Sequence, residues 1–415
     1  MLNLFVQGFA VILQPECLLL IVAGTAVGIL FGAVPGLTSV MAVALFLPVT
    51  YSMDPGTGIA VLVSLYIGSV SGGLISAILL KIPGTPSSVA TCWDGHPMVA
   101  RGEGAKALGV GVVFSFLGTV ISIAALVFTA PPLARIALQF GPHEYFSIAV
   151  FSLTLIAGLS SGSMVKGLFS GAAGFAFATV GIAPIEANVR FAFGSYELAA
   201  GFKTLTVLIG LFAVSEILKS AETARVEAKA TVAQVGKIKG FGFSWTEFKS
   251  QAFNLVRSSV IGVGVGILPG IGSGTSNIIS YLAARKQSKH PEKFGTGVID
   301  GIVAPETANN AGIGGAMIPL MTLGIPGDGV TAILLGGFMV HGIAPGPLLF
   351  TNHAGLVYTI FAALTLSSVV MVLLEFFGMR VFIKLLRVPK HILLPIVFIL
   401  CVVGAFGLSS LTFDV

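Results

Sequence analysis

Hydroxyl and amide side chains recur in this 415-residue chain at places where apolar helices are interrupted. "GILFGAVPGLTS" (28–39) breaks an apolar run at Pro35 and Gly36 and follows the break with Thr38 and Ser39. "GVGVGILPGIGS" (262–273) does the same at Pro269 and Gly270, followed by Ser273, Thr275, Ser276 and Asn277. "KIPGTPSSV" (81–89) offers Pro83, Gly84, Thr85, Ser87 and Ser88, and "GIPGDGVTA" (324–332) offers Pro326, Gly327 and Asp328. Proline removes a donor and stops a helix, while glycine lets backbone come close to a ligand. A helix that restarts after such a break presents unpaired N–H groups and a partial positive charge, which suits an anion. The chemistry expected is reversible anion binding by neutral donors, without a fixed salt bridge.

"PETANNAGIGG" (305–315) adds Glu306, Asn309 and Asn310. Glu306 and Asp328 are either carboxylates near the membrane interface or, with Asn277, candidate ligands for a coupling ion, since acids inside membrane segments are functional by default. Other chemistries lack their parts. Cys17, Cys92 and Cys401 lie far apart in apolar surroundings, and His96, His143 and His341 have no metal-like spacing, so no transition-metal site is expected. "GVGVGILPGIGSG" lacks the G-K-[ST] of a phosphate loop. Gly28 and Gly32, like Gly262 and Gly266, also form GxxxG, which serves helix packing but does not require the Pro-Gly that follows.

The elements that must position these residues are membrane helices. The chain is 55% hydrophobic and only 9% charged, with 53 glycines and a mean hydropathy of +1.00, which excludes a soluble protein of this length. Apolar runs at 57–80, 107–130, 145–160, 167–184, 203–218, 353–379 and 391–408 predict an all-α polytopic membrane protein. The start "MLNLFVQGFAVILQ" has neither a basic n-region nor a cleavage site and reads as mature protein. A formal charge of +5 fits basic cytoplasmic loops, and no nucleic-acid partner is expected.

The chain also resembles itself. Gly28, Gly32, Pro35, Gly36 and Ser39 align at one offset with Gly262, Gly266, Pro269, Gly270 and Ser273; 81–89 aligns with 324–332, and "FGPHEY" (140–145) more weakly with "RVPKHI" (387–392). The expected organisation is a first transmembrane repeat (1–218), a cytoplasmic linker (219–251) and a second repeat (252–415). The linker carries Lys219, Arg225, Lys229, Lys237, Lys239 and Lys249.

Matched ends carry opposite charge bias. Glu16 and Asp54 flank the first Pro-Gly segment, whereas Arg257, Arg285, Lys286, Lys289 and Lys293 flank the second. Arg101 and Lys106 follow the second motif of the first half, and no basic residue follows its counterpart closely; Arg135 then stands opposite Arg380, Lys384, Arg387 and Lys390. This predicts inverted-topology repeats with a periplasmic N-terminus, and a re-entrant hairpin or broken helix over 257–285. Paired broken segments in two inverted halves are the sequence pointer to a transporter's binding site.

Through "GxxxGxxPG" twice, "ILLKIPGTPSSVATCWDGHPM" and "PETANNAGIGGAMIPLMTLGIPGDG", nearly the whole chain resembles the large membrane subunit (TctA) of the tripartite tricarboxylate transporter family. The resemblance implies a secondary transporter of the bacterial inner membrane that imports a tricarboxylate or other small organic carboxylate. Its partners would be a periplasmic (TctC-like) binding protein and a small (TctB-like) membrane subunit, its drive a sodium or proton gradient, with no further cofactor; a homo-oligomer stays open. Carried over by motif, the site positions are Pro35, Gly36, Ser39, Pro83, Gly84, Thr85, Pro269, Gly270, Ser273, Asn309, Asn310, Pro326 and Gly327. Members of the family usually continue for several more helices, and 162–218 have no counterpart after Ser410, so the second repeat is expected to lack its last helices. The alternatives are an anion-selective channel, which needs a continuous polar lining, and a membrane-embedded enzyme, which needs an activated nucleophile or metal set.

Overall fold

The structure, a computed structural model, describes residues 2–159, 163–183, 188–223, 242–385, 390–407 and 411–415. Of the expected linker, Arg225, Lys229, Lys237 and Lys239 lie outside the described residues, as do 387–389 of the weakest repeat match. Helices dominate, and extended pairing among the described residues is limited to Gly181–Ile182 against Val189–Arg190.

The first half runs α1 (Leu2–Ile12), α2 (Pro15–Ala33), α3 (Ser39–Thr50), α4 (Pro55–Leu80), α5 (Thr91–Ala100), α6 (Gly104–Ala137), α7 (Pro142–Leu159) and α8 (Met164–Ala178). A short α9 (Tyr196–Ala199) precedes one helical rod made of α10 (Thr204–Leu208), a π-helical turn (Ile209–Val214) and α11 (Ser215–Thr223). The second half runs α12 (Trp245–Ser250), α13 (Ala252–Ile267), α14 (Gly272–Gln287), α15 (Asp300–Leu323), α16 (Gly329–Val340), α17 (Leu349–Asn352), α18 (Ala354–Leu385) and α19 (Lys390–Gly407). Helices α2, α4, α6 and Ala354–Met379 of α18 are long and apolar enough to cross a bilayer. The apolar runs of the sequence thus appear as helices of an all-α membrane protein.

Helices α4 and α15 form the core, buried continuously from Gly58 to Leu79 and from Gly301 to Thr322. Neither has a polar face, and both are rich in small residues, so neighbouring backbones close in on them. α2 packs on α4, and α13 packs on α15, through matched glycines. A methyl at Gly28 would stand 2.5 Å from the Leu65 carbonyl oxygen, and one at Gly262 would stand 2.3 Å from that of Ala308. The GxxxG positions therefore pack helices as well as lead into the breaks. The long helices cross over: α6 lies on α15, and α18 on α4.

The breaks fold the chain into hairpins. α13 and α14 are antiparallel neighbours whose open ends meet where Arg257 Nη1 donates to Gln287 Oε1 at 3.0 Å. That brings the two basic ends of 257–285 to one place, as a hairpin requires.

Candidate functional site

Each Pro-Gly break is a turn of defined geometry. α2 ends at the extended Val34, Gly36 adopts φ 91°, and Thr38 caps α3 by accepting from Met41 N at 3.2 Å. α13 ends in the same way at the extended Leu268, and Gly270 adopts φ 80°. A residue with a Cβ would be strained at either glycine. α4 and α15 end with Lys81 and Gly324 in the left-handed region, at φ 59° and 72°. Thr85 and Asp328 then form capping boxes with Ser88 and Thr331.

The motifs within each half lie against one another. A methyl at Gly84 would stand 2.0 Å from Gly32 O, and one at Gly327 would stand 2.6 Å from Gly266 O. In the second half Gly270 N also donates to Gly327 O at 2.8 Å.

Between the halves residues of the four breaks line an open cavity of about 630 Å³, large enough for a small organic acid. Thr38 and Ser39 reach it from the start of α3, Thr85 and Ser87 from the turn before α5, Gly270, Ser273 and Thr275 from the start of α14, and Asp328 from the cap of α16. Hydroxyls and helix starts converge there from both halves. Asp328 is held on both oxygens: Thr331 N and its hydroxyl donate to Oδ1 at 2.8 and 2.7 Å, and Tyr66 donates to Oδ2 at 2.6 Å. It serves as a helix cap on the cavity wall.

Other expected site residues stand behind this surface. Pro35, Gly36, Pro83, Gly84 and Gly327 shape the turns, while Pro269 and Pro326 line a neighbouring cavity of about 550 Å³. Asn277, Glu306, Asn309 and Asn310 are fully buried in the helix packing, away from the lining. Glu306 is a helix residue of α15 and not a loop carboxylate; it accepts from Thr91 at 2.5 Å and Ser115 at 3.0 Å. Asn310 donates to Glu306 O at 3.0 Å, and Asn277 Oδ1 accepts from Ala90 N at 2.8 Å. Both amide atoms of Asn309 and the Thr307 hydroxyl are buried without a hydrogen-bond partner. Such orphaned oxygens can ligate a cation.

Several contributors escaped the sequence reading. Phe212, Ser215, Glu216 and Lys219 line the cavity from one face of the rod, at a spacing a helix brings together. The π-turn beside them is a feature frequent at functional sites. The run 203–218 reads as a plain span, and only the spacing of these polar residues could have marked them. Tyr66 aligns with Asn309, but an aromatic residue in an apolar run carries no polar signal. Asp94 was also missed: buried on α5, it accepts from Tyr281 Oη at 2.8 Å and from the amides of Gly295, Gly297 and Val298 at 3.0, 2.7 and 2.9 Å. It clasps the first half to the loop before α15.

Outside the spans, Glu247 is held by Lys106 and by Ser244 N, and its carboxyl is lowered to about 2, the Lys106 hydrogen bond being the largest cause. Phe243 and Phe248 pack on Phe114 beside it, fastening α12 to α6.

The family model described as "Tripartite tricarboxylate transporter TctA family" matches residues 18–415. An Agrobacterium vitis protein described as "Uncharacterized 52.8 kDa protein in TAR-I ttuC' 3'region" is 33% identical over 408 residues, covering 98% of this chain and 80% of that protein. A second from the same organism, "Uncharacterized protein in TAR-II ttuC' 3'region", is 36% identical over 151 residues, covering 36% of this chain and 62% of that protein. No solved structure matches. With its polytopic helices and a family match that runs almost from end to end, the chain belongs to the tripartite tricarboxylate transporter TctA family, as a membrane subunit of a transporter.

Proposed function

We propose that this subunit imports a tricarboxylate or related small organic carboxylate by alternating access, taking it from a periplasmic binding protein and working with a small membrane subunit in the bacterial inner membrane. The observation that carries this reading is a cavity lined from both halves by residues of the matched Pro-Gly breaks. Backbone N–H groups and the Thr38, Ser39, Thr85, Ser273 and Thr275 hydroxyls bind the carboxylates, and neutral donors let the anion go as readily as they take it. A sodium ion or proton partly neutralises the bound anion, so that the loaded site crosses a low-dielectric barrier at lower cost. Asp328 on the cavity wall and Asn277, Glu306 and Asn309 in the helix packing behind it are the oxygen-bearing groups for that role.

The halves are inverted repeats, with the N-terminus periplasmic and 219–251 cytoplasmic. The charge bias at matched ends supports this, as does the hairpin that brings Arg257 beside Gln287. The test is uptake of labelled citrate and related acids into proteoliposomes holding this chain and its small partner, with loaded binding protein outside and an imposed sodium or proton gradient. Saturable uptake that collapses with one gradient is expected. Uptake that rises linearly with concentration and ignores both gradients would mean a channel.

A further inference from the structure

Glu375 belongs to neither the cavity nor any ion pair of the described residues. It sits in the apolar run "MVLLEFFGM" of α18 and is fully buried. Ser71 Oγ on α4 donates to its Oε2 at 3.0 Å, while Oε1 is buried with no partner. Ion pairs among the described residues, such as Arg101–Glu103, Lys106–Glu247 and His290–Glu292, lie elsewhere.

Among the described side chains, no cation of the helices packed against α18 pairs with it. α1 and α17 have no titratable side chain, and α4 has Tyr66, whose hydroxyl is committed to Asp328. α2 has Glu16 and Cys17, and α6 has Arg135 and Lys106, the latter committed to Glu247. On α18 itself are Tyr358, Lys384 and Arg380, whose side chain lies outside the described ones. Glu306 of α15, itself a fully buried acid, supplies no counter-charge either. Among the described side chains an ionised carboxylate here would be desolvated without a counter-charge, whereas an unpaired O–H costs far less.

We propose that Glu375 is a proton-binding site of the carrier, with the proton on Oε1 and Ser71 closing on Oε2. The site spans the boundary between α4, which carries Tyr66 and Val70 into the cavity, and α18, which is outside the lining. Displacement of α4 along α18 takes Ser71 away and opens Oε1 to water, to which the proton is released. Proton transfer and passage of the bound acid then belong to one movement. This use of the proton rests on the carrier reading given above; its binding at Glu375 does not.

The test is infrared difference spectroscopy of the full chain in lipid nanodiscs between mildly acid and alkaline pH, in H₂O and D₂O. A protonated-carboxyl C=O band, shifted by deuteration, is expected in the native protein. It should vanish in Glu375→Gln, persist in Glu306→Gln, and move without vanishing in Ser71→Ala, which keeps the carboxyl. In proteoliposomes with the partner proteins, Glu375→Gln should lose accumulation driven by a pH gradient. A band that survives Glu375→Gln, or accumulation under a pH gradient equal to native, would overturn the proposal. Absence of any carboxylate uptake by the native protein would instead strike the carrier reading and leave the infrared assignment standing.

Discussion

Ser39 and Ser273 occupy matched positions three residues past the glycines of matched Pro-Gly breaks, and both reach the same cavity. Hydrogen bonds to charged groups contribute roughly 1.5–3 kcal/mol, so Ser39→Ala and Ser273→Ala should each weaken citrate binding about tenfold or more. Calorimetric titration of the purified protein checks this, and unchanged affinity in both would move the site elsewhere. Gly327→Ala tests the turn: a methyl 2.6 Å from Gly266 O overpacks it, at roughly 1–3 kcal/mol, which should lower the midpoint of thermal unfolding. The hydroxyls and Pro-Gly pairs were legible because their types conflict with an apolar helix. Tyr66 and Asp94 were not, because their meaning lies in partners 262 and about 200 positions away in the chain, and no local pattern encodes such distances.

Among the elements, the broken helices were legible from Pro-Gly and from the basic residues at both ends of 257–285. The π-turn was not, since Ile209–Val214 has the composition of ordinary apolar helix and its extra residue per turn leaves no mark in hydropathy. Its consequence is a third wall to the cavity. The fastening of α12 to α6 carries a pH signature. Glu247 is lowered from 4.5 to about 2, so the stabilisation from Lys106 is complete above about 4.5 and is lost as pH falls through about 2. The pair is partly exposed, so its worth is no more than about 1 kcal/mol after solvent screening. Glu247→Gln should remove that small difference in unfolding at neutral pH while leaving stability well below pH 2 unchanged.

Across the whole molecule, the internal alignment turns up again as contacts: the carbonyls that Gly28 and Gly262 approach, Leu65 O and Ala308 O, are themselves aligned positions. The crossing of α6 onto α15 and of α18 onto α4 was not legible, since a run of small apolar residues does not name its partner. Those crossings and the Asp94 clasp join the halves around the cavity. Asp94→Asn places an amide among four donors and should cost about 3 kcal/mol, read as a lowered unfolding midpoint in detergent.

The claim that both halves build one carboxylate site is tested most directly by thiol protection. Cys17, Cys92 and Cys401 are buried, so single Ser39→Cys and Ser273→Cys proteins can be titrated with a small water-soluble thiol reagent, with and without citrate. Citrate should slow labelling at both positions with the same half-saturating concentration. Protection at one position alone, or at two different concentrations, would contradict a shared site.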